Sequence, residues 1–407
     1  MAPMRILICN EHYGLVGGAE VYLLDVISRL EGMGHEIGVL HDSPAGETMD
    51  STRPVYRVPG SLGFLHSQSA STVRAVKEAV QQFAPDVIYV IQGLNPAALH
   101  ALVDRAPTLR YEMGLRLTCP SGRRMPRTWD GICTKPFDAL CLWKAHTQLC
   151  MPRRPDTALK VWIDVRKNQR AHTRFHRIFL PSRYIYRLLV ESGMPQERLE
   201  VLHLYTELNP AIEANSPSSE RRILALGRPT PEKGFGHLIE GLNHITDPTT
   251  LEIAGESPYL EELRQLAARA PHRHTVVFSG WVPRQRLTEA YARARVVAVP
   301  STWPEPFGIV GIEAMAHGLP AVAFDVGGIS DWLADGRTGA LIPRKDIPAM
   351  ARALDAYLSD PSLARRHGAA GREEVRRRFL PEHHINRLLD AFEEALEAGR
   401  RLDMQKG

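Results

Sequence analysis

Two carboxylates, Glu305 and Glu313, stand eight residues apart in the stretch 304–320, Pro-Glu-Pro-Phe-Gly-Ile-Val-Gly-Ile-Glu-Ala-Met-Ala-His-Gly-Leu-Pro. Pro306 and Gly308 set a turn, and Ile309, Ile312 and Met315 recur at helical period. The spacing predicts a helix whose first free amides emerge beside Glu305, with Glu313 about two turns in. Such amides attract phosphate, and a nearby carboxylate can hold sugar hydroxyls. The combination suits a nucleotide sugar. An ordinary capped helix with two solvated glutamates fits the same spacing.

Three glycine-bearing loops offer partners for that helix. Gly227-Arg228-Pro229-Thr230-Pro231-Glu232-Lys233-Gly234 follows a strand-like run. Arg228 and Lys233 there can neutralise a diphosphate, most strongly as it leaves, or can be two surface cations in a turn. Gly280-Trp281-Val282-Pro283 supplies either a wall for a nucleotide base or a packed tryptophan. Gly327-Gly328-Ile329-Ser330 supplies either phosphate-binding amides or a plain turn.

Alternating strand-like and helix-like segments must carry these loops, an order that argues for parallel sheets covered by helices. Strands are expected at 5–9, 36–41, 86–91 and 177–180, and helices at 19–30 and 73–83. Residues 105–175, rich in Arg, Cys and Pro, read as irregular. A polar, Pro/Ser-rich linker at 207–220 precedes a second series, with strands at 223–227, 251–254, 275–279, 296–300 and 321–324. The expected architecture is α/β, two doubly wound Rossmann-like domains facing across a cleft, with ligands at the carboxyl ends of the strands. The domains fall at 1–207, including the insertion at about 105–175, and at 208–380. A C-terminal helix, 381–407, is expected to pack across the pair, the Arg-rich final helices presenting a solvated face.

Bulk properties agree. At 407 residues the chain exceeds one ordinary core. Its 44% hydrophobic and 24% charged residues describe a soluble globular protein, and a net charge of +4 does not argue for nucleic acid. No apolar run reaches the roughly 20 residues of a membrane span. The N-terminus enters a strand-like run without the pattern of a signal peptide, so a cytoplasmic location and free thiols are expected.

The ordered set Gly17-Gly18-Ala19-Glu20, Gly227-Arg228 with Glu232-Lys233-Gly234, Pro300-Ser301, Glu305-Pro306-Phe307-Gly308 with Glu313-Ala314, Gly318-Leu319-Pro320 and Gly327-Gly328 resembles retaining glycosyltransferases of family 4, which have the GT-B architecture. The resemblance covers essentially the whole chain and implies the following roles. Arg228 and Lys233 hold the donor diphosphate, Glu313 the ribose hydroxyls, and Glu305 the transferred sugar. The amides of Phe307 and Gly308 meet sugar or phosphate, with Ile309 beside them, and Trp281 lines the base. Gly17 and Gly18 let the backbone approach donor phosphate and acceptor, for want of an obstructing side chain; a tight strand-to-helix turn needs the same glycines.

The implied reaction moves a sugar from a nucleoside diphosphate to an acceptor hydroxyl on the same face, with no metal ion required. The expected donor is a UDP-sugar, with a GDP-sugar the second choice. The acceptor and the oligomeric state are left open.

Three features depart from the pattern. The family carries a histidine, often as His-Asp, where this chain has Met113-Gly114 in Tyr111-Glu112-Met113-Gly114-Leu115. Either Glu112 makes the sugar contact, or the sugar or acceptor is unusual, or transfer is lost. His12 is a further candidate. Second, Cys119, Cys133, Cys141 and Cys150 fall in one segment, spaced by 13, 7 and 8 residues. They are scattered thiols, or a structural zinc or iron–sulfur site lacking paired Cys-x-x-Cys. Third, Arg153, Arg154, Lys160, Arg166, Lys167, Arg170, Arg174, Arg177, Arg183 and Arg187, near Trp162, Ile163 and Phe175, form a solvated basic face or a surface for anionic membrane or a phosphorylated acceptor.

A catalytically silent GT-B subunit that binds nucleotide or glycan is the competing function. A dinucleotide oxidoreductase and a phosphate-loop ATPase are excluded, because neither Gly-x-Gly-x-x-Gly nor Gly-x-x-x-x-Gly-Lys-Ser/Thr occurs.

Overall fold

Short apolar runs without polar alternation suit strands buried on both faces, as in an all-parallel sheet between helices. The computed structural model describes residues 2–14, 18–43, 52–62, 70–93, 95–128, 130–151, 154–208 and 218–404. It divides into two units, Met1–Leu202 with Ile385–Gly407, and His203–His384.

The first unit opens with β1 (Arg5–Asn10), α1 (Gly18–Gly32), β2 (Glu36–His41), β3 (Val55–Arg57) and α2 (Ala70–Phe83). It continues through β4 (Val87–Val90), α3 (Pro96–Val103), β5 (Thr108–Tyr111), α4 (Leu140–Thr147) and α5 (Pro155–His172). Strand β6 (Arg177–Leu180), α6 (Arg183–Glu191) and β7 (Leu199–Val201) complete the series. The strands pair in parallel in the order β3-β2-β1-β4-β5-β6-β7. Leu23, Val26, Ile27 and Leu30 form the buried stripe of α1, spaced to face the sheet.

The second unit contains β8 (Arg222–Leu226), α7 (Phe235–Gly241), β9 (Thr250–Ala254), α8 (Leu260–Ala267), β10 (Thr275–Gly280) and α9 (Arg284–Arg293). After β11 (Val296–Val299), α10 (Ile309–Ala316), β12 (Ala321–Phe324) and β13 (Gly339–Ile342) come α11 (Ile347–Ser359), α12 (Pro361–Arg378) and α13 (Pro381–Met404). Its sheet is also parallel, ordered β10-β9-β8-β11-β12-β13. Each sheet therefore reverses its winding beside its first strand, between β1 and β4 and between β8 and β11. Loops leaving the carboxyl ends of those strands diverge there and leave room for a ligand.

Two expectations change. The segment 105–175 is less irregular than its composition suggests. It contains β5, α4 and the 18-residue α5. Charged residues crowd the exposed side of α5 and obscure a buried stripe of Ala158, Val161, Val165, Asn168 and His172. The Arg-rich end of α12 is not merely solvated either. Glu374, 4% exposed, takes Arg378 at 2.7 Å, Arg337 at 3.0 Å and Arg377 at 3.5 Å.

From Ile385 onward α13 belongs to the first unit, where Phe392 packs edge-on against Tyr89 and Arg387 pairs with Glu200 at 2.6 Å. The expected linker lies mostly outside the described residues. Among the described residues no helix is long and apolar enough to cross a membrane.

Candidate active site

Glycines at the ends of β8, β9 and β10 draw three loops together in the second unit. Gly227 (φ +128°) donates its amide to Ala254 O at 3.0 Å, and Gly255 (φ +149°) donates to Gly280 O at 2.7 Å. A Cβ on Gly255 would lie 1.9 Å from Gly227 O, so only glycine lets these backbones meet. Arg228 follows, exposed. The chain then makes a 3₁₀ turn, Pro231–Lys233, and leaves it through Gly234 in the left-handed region (φ +72°). A Cβ there would stand 2.0 Å from Pro300 O.

That close approach fastens the β8 loop to the β11 loop. Thr302 donates to Glu232 O through its amide at 2.8 Å and its hydroxyl at 3.2 Å. The register so fixed puts Lys233 Nζ 2.6 Å from Glu305 Oε1, which also accepts from Ser301 Oγ at 2.5 Å. Glu305 is 5% exposed, whereas the Lys233 side chain keeps 31% of its surface, its ammonium 5.4 Å from the Trp303 ring centroid. One side of the ammonium is thus anchored by carboxylate and the remainder is open to an anion.

The β12 loop supports the same carboxylate from its backbone. Gly328 N donates to Glu305 O at 2.8 Å, and a Cβ on Gly327 would lie 2.1 Å from that oxygen. The glycine pair therefore acts as a packed turn, its second amide already taken. Helix α10 begins at Ile309 after Gly308 (φ +92°), with Gly311 pressed flat against the buried Trp332 ring. Trp332 Nε1 donates to Phe307 O at 2.7 Å. Phe307 itself is buried and stacked on His203, so its ring is structural and its backbone forms the approach to the helix.

Starting at Ile309, the helix carries Glu313 one turn in, rather than the two turns counted from Glu305. Glu313 is half-buried, and its Oε2 accepts from Tyr291 Oη at 3.1 Å. Tyr291, on α9, is fully buried and stacks on His317 at 4.2 Å, while His317 Nδ1 lies 2.8 Å from Glu313 O. Burial, and then the Glu313 charge, push the Tyr291 hydroxyl well above its ordinary range, so it remains a proton donor. Trp281, after β10, is not the packed tryptophan of the plainer reading: it is 67% exposed.

The sequence reading gave no role to Tyr291, Trp303 or Gly255. A glycine directly after β9, matching Gly227 after β8, was the available signal for Gly255. Tyr291 has none, because its partner lies on another helix.

In the first unit, Gly17 falls outside the described residues. Gly18 opens α1, and a Cβ there would meet nothing within 4 Å, so packing by the described chain does not force glycine. His12 is half-buried, and its Nδ1 and the buried Asn10 Oδ1 find no partner among the described residues.

Glu112 is placed differently from a free substrate-facing carboxylate. It is 3% exposed; Oε2 takes Arg110 Nε at 2.8 Å and Nη2 at 2.6 Å, and Oε1 takes Gly114 N at 3.2 Å. Arg110 in turn donates to Gly93 O at 2.7 Å. Both oxygens of Glu112 are engaged, and the pair stiffens the backbone at Met113-Gly114.

The basic stretch is partly consumed internally. Arg174 pairs with Asp104 at 2.7 Å, Arg177 with Glu394 at 3.0 Å, and Phe175 is fully buried. Trp162 donates to Asp138 O at 2.9 Å; the exposed tryptophan here is Trp143, 71% exposed. Cys119, Cys133, Cys141 and Cys150 line one cavity, and burial followed by the neighbouring thiols pushes Cys150 up to about 11. As they stand, no three His, Cys, Asp or Glu side chains among the described residues form a ready metal-ligand set.

Two Rossmann-like parallel sheets, one with a lysine and two carboxylates in the loops at its switch point, are the architecture of GT-B glycosyltransferases. Family models agree: "Glycosyl transferases group 1" matches 211–374 and "Glycosyl transferase 4-like domain" matches 17–204. The chain belongs to these family-4-like glycosyltransferases.

Among individual relatives, it is 34% identical over 187 residues to the alpha-maltose-1-phosphate synthase of Mycolicibacterium smegmatis. That match covers 42% of this chain and 48% of the relative. A GDP-mannose-dependent alpha-(1-6)-phosphatidylinositol monomannoside mannosyltransferase of the same organism is 35% identical, over 37% of this chain and 42% of its own length. The chain thus spans less than half the length of these relatives. In fold it is similar to Anabaena HepE in complex with UDP, with TM-score 0.71, 19% identity and coverage of 96% of this chain and 100% of that one. The sucrose-phosphate synthase of Thermosynechococcus elongatus gives TM-score 0.71 at 20% identity, covering 97% and 100%.

Proposed function

We propose that this protein is a retaining glycosyltransferase that moves a sugar from a nucleoside diphosphate to an acceptor hydroxyl, with a UDP-sugar as the preferred donor and a GDP-sugar as the second. The observation that carries the reading is the Lys233–Glu305 pair, 2.6 Å long, at the switch point of the second sheet. A buried carboxylate fixes the ammonium, and the open side of the ammonium meets the diphosphate. Arg228, on the same loop, adds a second cation. Fixed positive charge of this kind stabilises a leaving diphosphate more than an intact one, which is the requirement for catalysis. The head of α10 contributes its dipole and the amides at Phe307, Gly308 and Ile309.

Glu313 takes the ribose hydroxyls, held in place by Tyr291. Glu305 contacts the transferred sugar through the oxygen that Lys233 and Ser301 leave unused. Trp281 offers an exposed ring for the base. The departing phosphate accepts the acceptor's proton on the same face, so the cations of the chain itself serve where other transferases use a metal ion. Glu112 is assigned a positioning role, since Arg110 and Gly114 occupy both its oxygens.

Support for a sugar-nucleotide donor comes from the relatives. HepE is described with UDP and with UDP-glucose, and the mannosyltransferase is named GDP-mannose-dependent. A thermal-shift screen with UDP-, GDP- and TDP-sugars, followed by assays for nucleoside diphosphate release on each hit, tests the proposal. A ligand at a hundred times its Kd stabilises by about 2.7 kcal/mol, a rise on the order of 5 to 10 °C for a domain of this size. No shift with any of the three donors contradicts the proposal. Stabilisation without turnover, with or without sugar acceptors, indicates the silent-subunit reading instead.

A further inference from the structure

The residues 112–139, between β5 and α4, hold no helix or strand among those described. Structureless connections beyond about 12 to 15 residues are uncommon in compact domains and need something else to order them. The segment's own buried apolar residues are few, Leu115, Leu117 and Phe137, and Cys150 packs against a small cluster of Ala145, Met151, Ala158 and Val161.

A buried arginine does part of the ordering. Arg124, 2% exposed, donates Nε to Cys133 O at 2.9 Å, Nη1 to Thr118 O at 3.1 Å and Nη2 to Lys135 O at 2.7 Å. Its own carbonyl accepts from Cys133 N at 2.6 Å. These bonds bring the backbone beside Cys119 and that of Cys133 to one place. The other two cysteines arrive from fixed points on the far side. Cys141 sits on α4, and Cys150 follows Leu149, whose left-handed backbone (φ +50°) turns the chain back. Sidewise contacts hold two of the sulfurs, Cys119 Sγ 3.2 Å from Ser121 Oγ and Cys150 Sγ 3.5 Å from Lys144 O.

Four thiols separated by 13, 7 and 8 residues in sequence thus converge on one cavity, with no histidine or carboxylate among its lining residues. An all-sulfur donor set of four is the stoichiometry of a closed structural zinc site. Lys135 and Lys144 also line the cavity, and Arg124 lies against it. Zinc with four thiolates carries a net charge of −2, which two lysines at the wall balance.

We propose that the thiolates of Cys119, Cys133, Cys141 and Cys150, which share this cavity but form a ligand set only once their side chains turn inward, bind a zinc ion that clips the irregular segment to α4. Each thiol gives up its proton on binding, four per ion, and the side chains turn from the cavity wall onto a common tetrahedral centre with Zn–S near 2.3 Å. No redox change accompanies the step. The site is structural: it has no open position, and all four cysteines belong to the first unit, whereas the β8 and β11 loops belong to the second. Metal clips of this kind stabilise segments too small to bury a core of their own.

The test uses the full chain, purified without chelator and with any affinity tag removed, and measures zinc and iron by mass spectrometry. About one zinc per chain is expected. Titrating the native protein with an organomercurial in the presence of a zinc-sensitive dye then releases that zinc as the thiols are consumed. Cys133→Ser is expected to lose most of the metal. Cys9→Ser is the control; Cys9 is buried in β1, and its loss leaves zinc content unchanged. Should Cys133→Ser fail to fold, the wild-type metal content and dye release decide alone. Less than a tenth of a zinc per chain with all four thiols reactive overturns the proposal. Stoichiometric iron with visible absorbance, or disulfides in the intact mass, overturns it equally.

Discussion

Tyr291 Oη donates to Glu313 Oε2 across 3.1 Å, joining α9 to α10 through a hydrogen bond that no sequence motif announces. The tyrosine is buried and held neutral, so it fixes one carboxylate oxygen of Glu313. Tyr291→Phe keeps the stacking on His317 and removes only the donor. The donor-sugar KM is expected to rise between about threefold and tenfold, the worth of one ordinary net hydrogen bond, with kcat little changed. Steady-state kinetics at saturating acceptor check this. A KM equal to wild type shows that Glu313 needs no such support.

Gly234 joins two loops by having no side chain. In the left-handed region a non-glycine residue is strained, and the Cβ would also collide with Pro300 O at 2.0 Å. Gly234→Ala is therefore expected to destabilise the second unit by on the order of 2 to 3 kcal/mol, read as a lower urea midpoint. It should also weaken nucleotide binding, because the Thr302–Glu232 contacts that set Lys233 depend on this approach. Wild-type stability in the variant would mean that the loops are joined by other contacts.

Glu374 makes an acid-sensitive latch at the end of α12. Burial alone raises its carboxyl, but hydrogen bonds from Arg378 and Arg337 and the charges of Arg378 and Arg377 outweigh burial and hold it below the ordinary range. A depressed folded value means stability is fully present above the unfolded value, near 4.3, and is lost as pH falls through the lower folded value. Wild type should exceed Glu374→Gln in stability at pH 7, and the gap should narrow below about pH 4. Denaturant unfolding of both proteins at pH 7 and pH 3.5 gives the answer. A gap independent of pH rules out ionised Glu374 as its source.

The Arg110–Glu112 pair separates a structural from a chemical role beside Met113, where the family has a histidine. Arg110→Met strands a buried carboxylate, at a cost of about 3 to 5 kcal/mol. Glu112→Gln keeps the shape and should retain kcat within about tenfold while lowering the unfolding midpoint. If instead kcat falls by several hundredfold with stability intact, Glu112 touches the transferred sugar.

Much of the candidate site was legible in sequence because its residues lie in short runs directly after strands. A loop such as Gly227 to Gly234 announces both its turn and its cations in eight letters. The strand and helix order was legible for the same reason, since buried parallel strands are short apolar runs. What was hidden depends on partners distant in the chain. Helix α10 packs at Gly311 directly against the ring of Trp332, a partner some twenty residues further along the chain. Helix α5 was masked by its own charges. The engagement of Glu112, just past the end of β5, rests on Arg110 two residues back in that strand, a pairing visible only once β5 is placed at the sheet's interior. The convergence of four cysteines follows from Arg124 and the turn at Leu149, neither of which a Cys-spacing rule contains.

Calorimetric titration of UDP-glucose into wild type, Lys233→Ala and Lys233→Arg tests the donor site most directly. The account predicts binding to wild type, a loss of at least a hundredfold in Lys233→Ala, and partial recovery in Lys233→Arg, with all three unfolding at similar midpoints. Equal affinity in wild type and Lys233→Ala would contradict it.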